Sequence, residues 1–217
     1  MEIIIFSLCI FCFLIYFIYI IFYKQENMIV YKEGDKQIKV DNNFINYPHA
    51  GKILSILDEK NKILIKHLNQ KFINNETFGN NHEPNQLVII NGVKQLTKNY
   101  NTNNLEENTP IIGGDTSYSL NKGKLIKICL RNIKEDYTIH DLNTITFVVL
   151  HELAHVFSKS YGHNNEFWIN FKFLLQEAND INLIEIVDYH KEPISYCNGM
   201  MITYNPYFDE SLPDLSK

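Results

Sequence analysis

The sequence predicts an α+β domain preceded by one transmembrane helix, and three observations carry that prediction. Ile3 to Tyr23 is an apolar run with no charge inside it. Apolar residues recur at helical spacing in several later stretches, and one segment centred on Asn121-Lys122-Gly123 has the pattern of a β-hairpin. The chain has 217 residues, of which 45% are hydrophobic and 13% aromatic, too apolar a composition for a disordered protein. Its net charge of −5 excludes a general nucleic-acid binder, which needs a basic face against phosphate, so no nucleic-acid partner is expected. Of only four cysteines, two lie in the apolar run; that excludes a disulfide-stapled scaffold, and Cys129 and Cys197 read as free thiols.

The elements follow in order. The 21 residues from Ile3 to Tyr23 would span about 30 Å as a helix, the thickness of a bilayer core, and no small-x-small cleavage site follows. Lys24, Lys32, Lys36 and Lys39 follow the run, so the positive-inside rule places the larger C-terminal part in the cytosol; the expectation is a single-pass protein with the membrane as partner through residues 3–23. The sequon Asn75-Glu76-Thr77 points weakly the other way. Residues 24–47 read as a juxtamembrane linker. Ile53, Leu54, Leu57, Leu64, Ile65, Leu68 and Phe72 predict a long amphipathic helix, whereas Gln86 to Tyr100 fits either a strand or a helix. Thr116 to Leu120 and Lys124 to Arg131 form the two arms of the hairpin. Asp141 or Asn143 can cap a helix over Ile145 to Ser160 that ends at Gly162. Asn165 can cap the next, whose buried stripe is Phe167, Phe171, Leu174, Leu175 and Ala178. The boundaries are therefore 1–23 for the transmembrane helix, 24–47 for the linker, 48–190 for the domain and 191–217 for an extended tail.

The chemistry concentrates in His151-Glu152-Leu153-Ala154-His155. Two histidines four apart lie on one face of a helix, where both imidazoles can reach one zinc ion at about 2.0–2.1 Å. Glu152 can reach the open coordination position and take a proton from the water activated there as it attacks a carbonyl. A catalytic zinc needs a third protein ligand. His163 is the first choice, since the chain can turn at Gly162 and bring it back; Glu177 is second and His190 third. His49, His67, His82 and His140 read as surface residues.

The segment HELAHVFSKSYGHNNEFW resembles the WLM and SprT-like group of zincin metalloproteases, in which HExxH is followed by a spacer, a third histidine and an aromatic residue. KLIKICLR, Lys124 to Arg131, is similar to the strand those domains place before the metal helix. The resemblance covers about residues 50 to 180, with a spacer between His155 and His163 longer than is usual in WLM domains. It implies a minimal zincin-like α+β domain with a small antiparallel sheet, and zinc-dependent endopeptidase activity on a protein or peptide substrate. It also implies Zn2+ held by His151, His155 and His163, with Glu152 as general base. In zincins a strand at the lip of the cleft can pair with extended substrate, and Lys124 to Arg131 is the candidate. Tyr189, His190 and Tyr196 are possible oxyanion donors, none of them assigned. A non-catalytic membrane-tethered zinc scaffold and a hydrolase of non-peptide amides remain open alternatives.

Overall fold

The computed structural model describes residues 6, 10–17, 28–74, 84–109 and 116–215. The fold is mixed α+β, with helices α1 (residues 10–17), α2 (Tyr47–Phe72), α3 (Pro84–Asn99), α4 (Leu142–Phe157) and α5 (Asn165–Asp180). The transmembrane helix expected over residues 3–23 is not borne out: among the described residues no helix is long and apolar enough to cross a membrane. Apart from residues 6 and 10–17 that run lies outside the described residues, as do the sequon and His82. The single-pass localisation expected from the run falls with it.

Strands β1 (Met28–Glu33), β2 (Lys36–Asp41), β3 (Leu105–Asn108), β4 (Tyr118–Leu120) and β5 (Leu125–Cys129) form one sheet in the order β1-β2-β3-β5-β4. This corrects the expected antiparallel sheet. β1/β2 and β4/β5 are antiparallel, but β2/β3 and β3/β5 are parallel. Residues 28–41, within the stretch read as a linker, are instead a hairpin at the sheet's edge whose Ile38 and Val40 are fully buried. Short pairs β6 (Arg131–Asn132)/β7 (Thr138–Ile139) and β8 (Ile194–Tyr196)/β9 (Met200–Ile202) complete the strands, the second inside the segment expected to be an extended tail.

Gln86 to Tyr100 resolves as helix, with Ile89, Val93 and Leu96 buried at helical spacing. At Gly92 an added Cβ would lie 2.1 Å from the Phe157 ring, so glycine is what lets α3 press against the last turn of α4. α4 is the central helix. Asp141 caps it through the Thr144 amide, and it ends at Phe157 rather than Ser160, where Ser158 turns out into extended backbone. Twelve of its sixteen residues are buried, because α3, α5, β4 and β5 all pack on it. Cys129 and Cys197, read as free thiols, are joined in a disulfide that fastens β8–β9 to the end of β5.

Candidate metal centre

α4 presents His151 and His155 one turn apart, and the loop after it returns His163 to the same point. The Nε2 atoms of His163 and His151 are 2.9 Å apart, and those of His155 and His163 are 3.2 Å apart. Tetrahedral coordination at about 2.05 Å places ligand nitrogens about 3.3 Å from one another; both of His163's separations are near that spacing, and all three ligand atoms lie within 4.8 Å of one another. Among the described residues this is the group of histidine, cysteine and acidic side chains able to converge on one ion.

The loop is held from two sides. Lys122 Nζ donates to the carbonyls of His155 (3.0 Å), Ser158 (2.7 Å) and Ser160, putting a cation at the C-terminal end of α4 where the helix dipole favours it. From α5, the Glu166 carboxylate accepts the amides of Lys159 (2.8 Å) and Ser160 (3.0 Å). Gly162, at φ +78°, then makes the left-handed turn that delivers His163. Asn164, not Asn165, caps α5 by accepting the Phe167 amide.

Phe167 is the floor. Its ring is fully buried, and its centroid lies 4.8, 4.3 and 4.7 Å from those of His151, His155 and His163. Phe171 and Trp168 add further aromatic contacts to His151. Such surroundings disfavour charge. Burial, reinforced by the neighbouring imidazoles, pushes His151 down to about 3; burial, His163 and Lys122 push His155 down to about 4; and burial lowers His163 as well. Neutral imidazole is the form that ligates a metal.

Glu152 is 3% exposed, its Oε2 has no hydrogen-bond partner among the described residues, and burial raises its pKa to about 8. A buried carboxylate oxygen without a partner is costly unless something else meets it. With three convergent nitrogen donors beside it, the site fits a divalent zinc-like ion with water at its open position.

The rival ligands are elsewhere. Glu177 is fully buried on the far side of α5, where Lys71 reaches both its oxygens (2.8 and 2.9 Å) and His67 lies 2.8 Å away. His190 is exposed and outside the cluster, as is His49. His140 is half-buried rather than on the surface: its Nε2 accepts the Cys197 amide at 3.0 Å, and its ring lies 4.9 Å from that of Tyr196. Of the oxyanion candidates, Tyr189 packs on Phe147 behind the site. Tyr196 comes nearest, but its hydroxyl donates to the Cys129 carbonyl and accepts from Ser117, whose own oxygen accepts the Cys129 amide. Its proton is committed to holding β4 against β5. The strand expected to meet substrate also changes: β5 is paired on both sides, by β3 and β4, and β4 is the outermost of the described strands there. Lys122 and Phe167 escaped notice as site residues. The first is separated from α4 along the chain by the three strands β5, β6 and β7, and the second is indistinguishable in sequence from the rest of a buried stripe.

A helix that supplies two histidines and a glutamate, with a loop that returns a third histidine, brings together on a mixed α+β domain three imidazoles that could hold a metal ion. The chain belongs to the WLM domain family, whose model matches residues 89–204, and that family is associated with zinc metalloprotease-like proteins. The chain is 35% identical over 179 residues to an uncharacterized protein of Acanthamoeba polyphaga mimivirus, covering 82% of this chain and 84% of that one. It is 43% identical over 84 residues to an uncharacterized protein of Invertebrate iridescent virus 3, and 35% identical over 86 residues to one of Invertebrate iridescent virus 6. Those two matches cover 39% of this chain and 49% and 48% of the respective relatives. No solved structure matches the chain.

Proposed function

We propose that this protein is a zinc-dependent metallopeptidase with His151, His155 and His163 as metal ligands and Glu152 as general base. The observation that carries the reading is the convergence of three Nε2 atoms beside a buried carboxylate oxygen that no described residue satisfies. Bound there, zinc would polarise the scissile carbonyl and acidify a water molecule. The rest falls to the chain. Glu152, hidden from solvent beside the three imidazoles, accepts the proton from the attacking water and passes it to the nitrogen of the leaving amine. The aromatic floor keeps the imidazoles neutral and in place.

β4 borders the site along Tyr118 and Ser119, with Ser117 just before it, and it is the outermost of the described strands on that side of the sheet. An extended peptide can add there as a further strand, which lays its backbone across the three histidines.

The test is Glu152→Gln compared with wild type on an unstructured peptide, with zinc content measured in both. Turnover should fall by roughly 10²–10⁴-fold while zinc is retained. Undiminished turnover in the variant would refute the role given to Glu152.

A further inference from the structure

A cavity of about 460 Å³ lies between α3, the C-terminal end of α4 and the first half of α5, beside the start of the loop that returns His163. It shares no residue with the recess at the three histidines, and its volume falls within the range of small-ligand pockets. Phe157, packed against Gly92, and the partly exposed Val88 give it apolar surface.

Its polar lining is rich in acceptors. Asn170 is 1% exposed; its Nδ2 donates to Ser158 Oγ at 2.9 Å, and that hydroxyl gives its own proton to the Ala154 carbonyl at 2.8 Å. Ser158 can therefore only accept, which fixes which way round the Asn170 amide stands. Oδ1 is left buried and without a partner among the described residues, a costly state unless a donor reaches it. Gln95 is constrained in the same manner: its amide nitrogen donates to the carbonyls of Val156 and Ser158, so what it has left to offer the cavity is an oxygen. Glu166 adds a carboxylate, which the amides of Lys159 and Ser160 hold in place without neutralising it. The C-terminal end of α4 contributes the partial negative charge of its dipole.

We propose that this cavity binds a guanidinium cation, the head of an arginine side chain. Guanidinium carries five N–H donors in a planar fork and no acceptor, and so it can meet Asn170 Oδ1 and the Glu166 carboxylate together. An ammonium is a more strongly hydrated point donor and matches a spread of acceptors less well. Val88 and Phe157 take the methylene stem. Lys159 stands exposed on the rim, a like charge that a bound cation must approach. The arginine belongs either to a free small molecule or to a partner protein, since the recognised chemistry is the same. The assignment holds whether or not the three histidines serve a peptidase.

The full chain is titrated with acetyl-arginine amide and with its neutral, nearly isosteric citrulline counterpart, and binding is followed by calorimetry. Arginine should bind at least about tenfold more tightly, the worth of one charge-assisted hydrogen bond. Glu166→Gln should bring that ratio close to unity. Because the ratio compares two ligands on the same protein, a merely loosened loop would not move it. Lys159→Glu changes an exposed side chain and should tighten arginine binding several-fold. An unstructured peptide with a single arginine distinguishes the source: affinity above that of the capped amino acid assigns the site to a partner protein, and equal or lower affinity assigns it to a free arginine derivative. No binding of either arginine probe at millimolar concentration, equal affinity for arginine and citrulline, or a ratio untouched by Glu166→Gln overturns the proposal and leaves a cavity filled by water.

Discussion

Replacing His163 by alanine and, separately, Glu177 by glutamine should split metal affinity from fold stability. His163 is exposed on a loop, so its truncation removes a ligand and little packing. Structural zinc sites with four ligands bind with roughly 10–16 kcal/mol, or about 2.5–4 kcal/mol per ligand, so losing one of three should weaken zinc binding on the order of 10²–10³-fold. Thermal unfolding of the metal-free protein should barely move, since surface changes of this kind fall within about 0.5 kcal/mol. Glu177 is the opposite case. Its carboxylate is fully buried and ties α5 to Lys71 and His67 on α2. Charge-assisted bonds of this type contribute about 1.5–3 kcal/mol each, but both partners reach solvent and can recover hydration, so a net loss of about 2 kcal/mol is expected. For a chain of this length that lowers Tm by about 4–8 °C, with zinc affinity unchanged. A chromophoric chelator competition gives the affinity and calorimetry of the stripped protein gives the stability. Loss of zinc from Glu177→Gln, or tight zinc binding by His163→Ala, would refute the three-imidazole assignment.

Three further predictions test the supports around the site. Lys122→Met keeps the backbone at its positive φ but removes the donor to three carbonyls, so zinc affinity should drop by about tenfold, as for other groups that orient ligands; equal affinity in the same competition assay would show that the loop holds itself. Cys129→Ala with Cys197→Ala opens a loop closed across a separation of 68 residues, a loss of about 4 kcal/mol by chain entropy, to be read from urea unfolding and refuted by an unchanged midpoint. Burial lowers the pKa of His140, whose unprotonated Nε2 accepts the Cys197 amide. Below about pH 6.5 the unfolded chain therefore takes up a proton that the folded one refuses, and stability falls until the pH reaches the lowered folded value. His140→Gln retains an acceptor and should flatten part of that acid loss; parallel stability curves would refute the assignment.

The metal helix was legible because helical periodicity and chemistry coincide there. His151 and His155 must share a face if Leu150, Leu153 and Val156 are to be buried, and the helix is buried along nearly its whole length. The third histidine was legible as a preference, from Gly162 and proximity along the chain. What separates it from Glu177 is the rotation of α5, which turns Glu177 toward α2, and no local pattern reports that. The sheet misled in a similar way. The residues of 24–47 lack sustained periodicity because β1 is a partly exposed edge, and the parallel β3/β5 pairing joins segments with a third strand between them. The long apolar run satisfied a length rule that describes composition alone, and among the described residues no helix is long and apolar enough to cross a membrane.

By itself, then, the sequence determined the mixed α+β character, the helix that carries two imidazoles and a carboxylate, and the turn that can bring back a third, because these depend on backbone geometry within about a dozen residues. Tertiary structure alone decided that Lys122 and Glu166 hold the returning loop, that Phe167 underlies all three rings, that β4 rather than β5 is the outermost described strand, and that Cys129 meets Cys197. Each of those contacts is made between segments whose distance is set by the packing of the whole core, and the cost or gain of a contact is felt only once both partners have been brought out of water together.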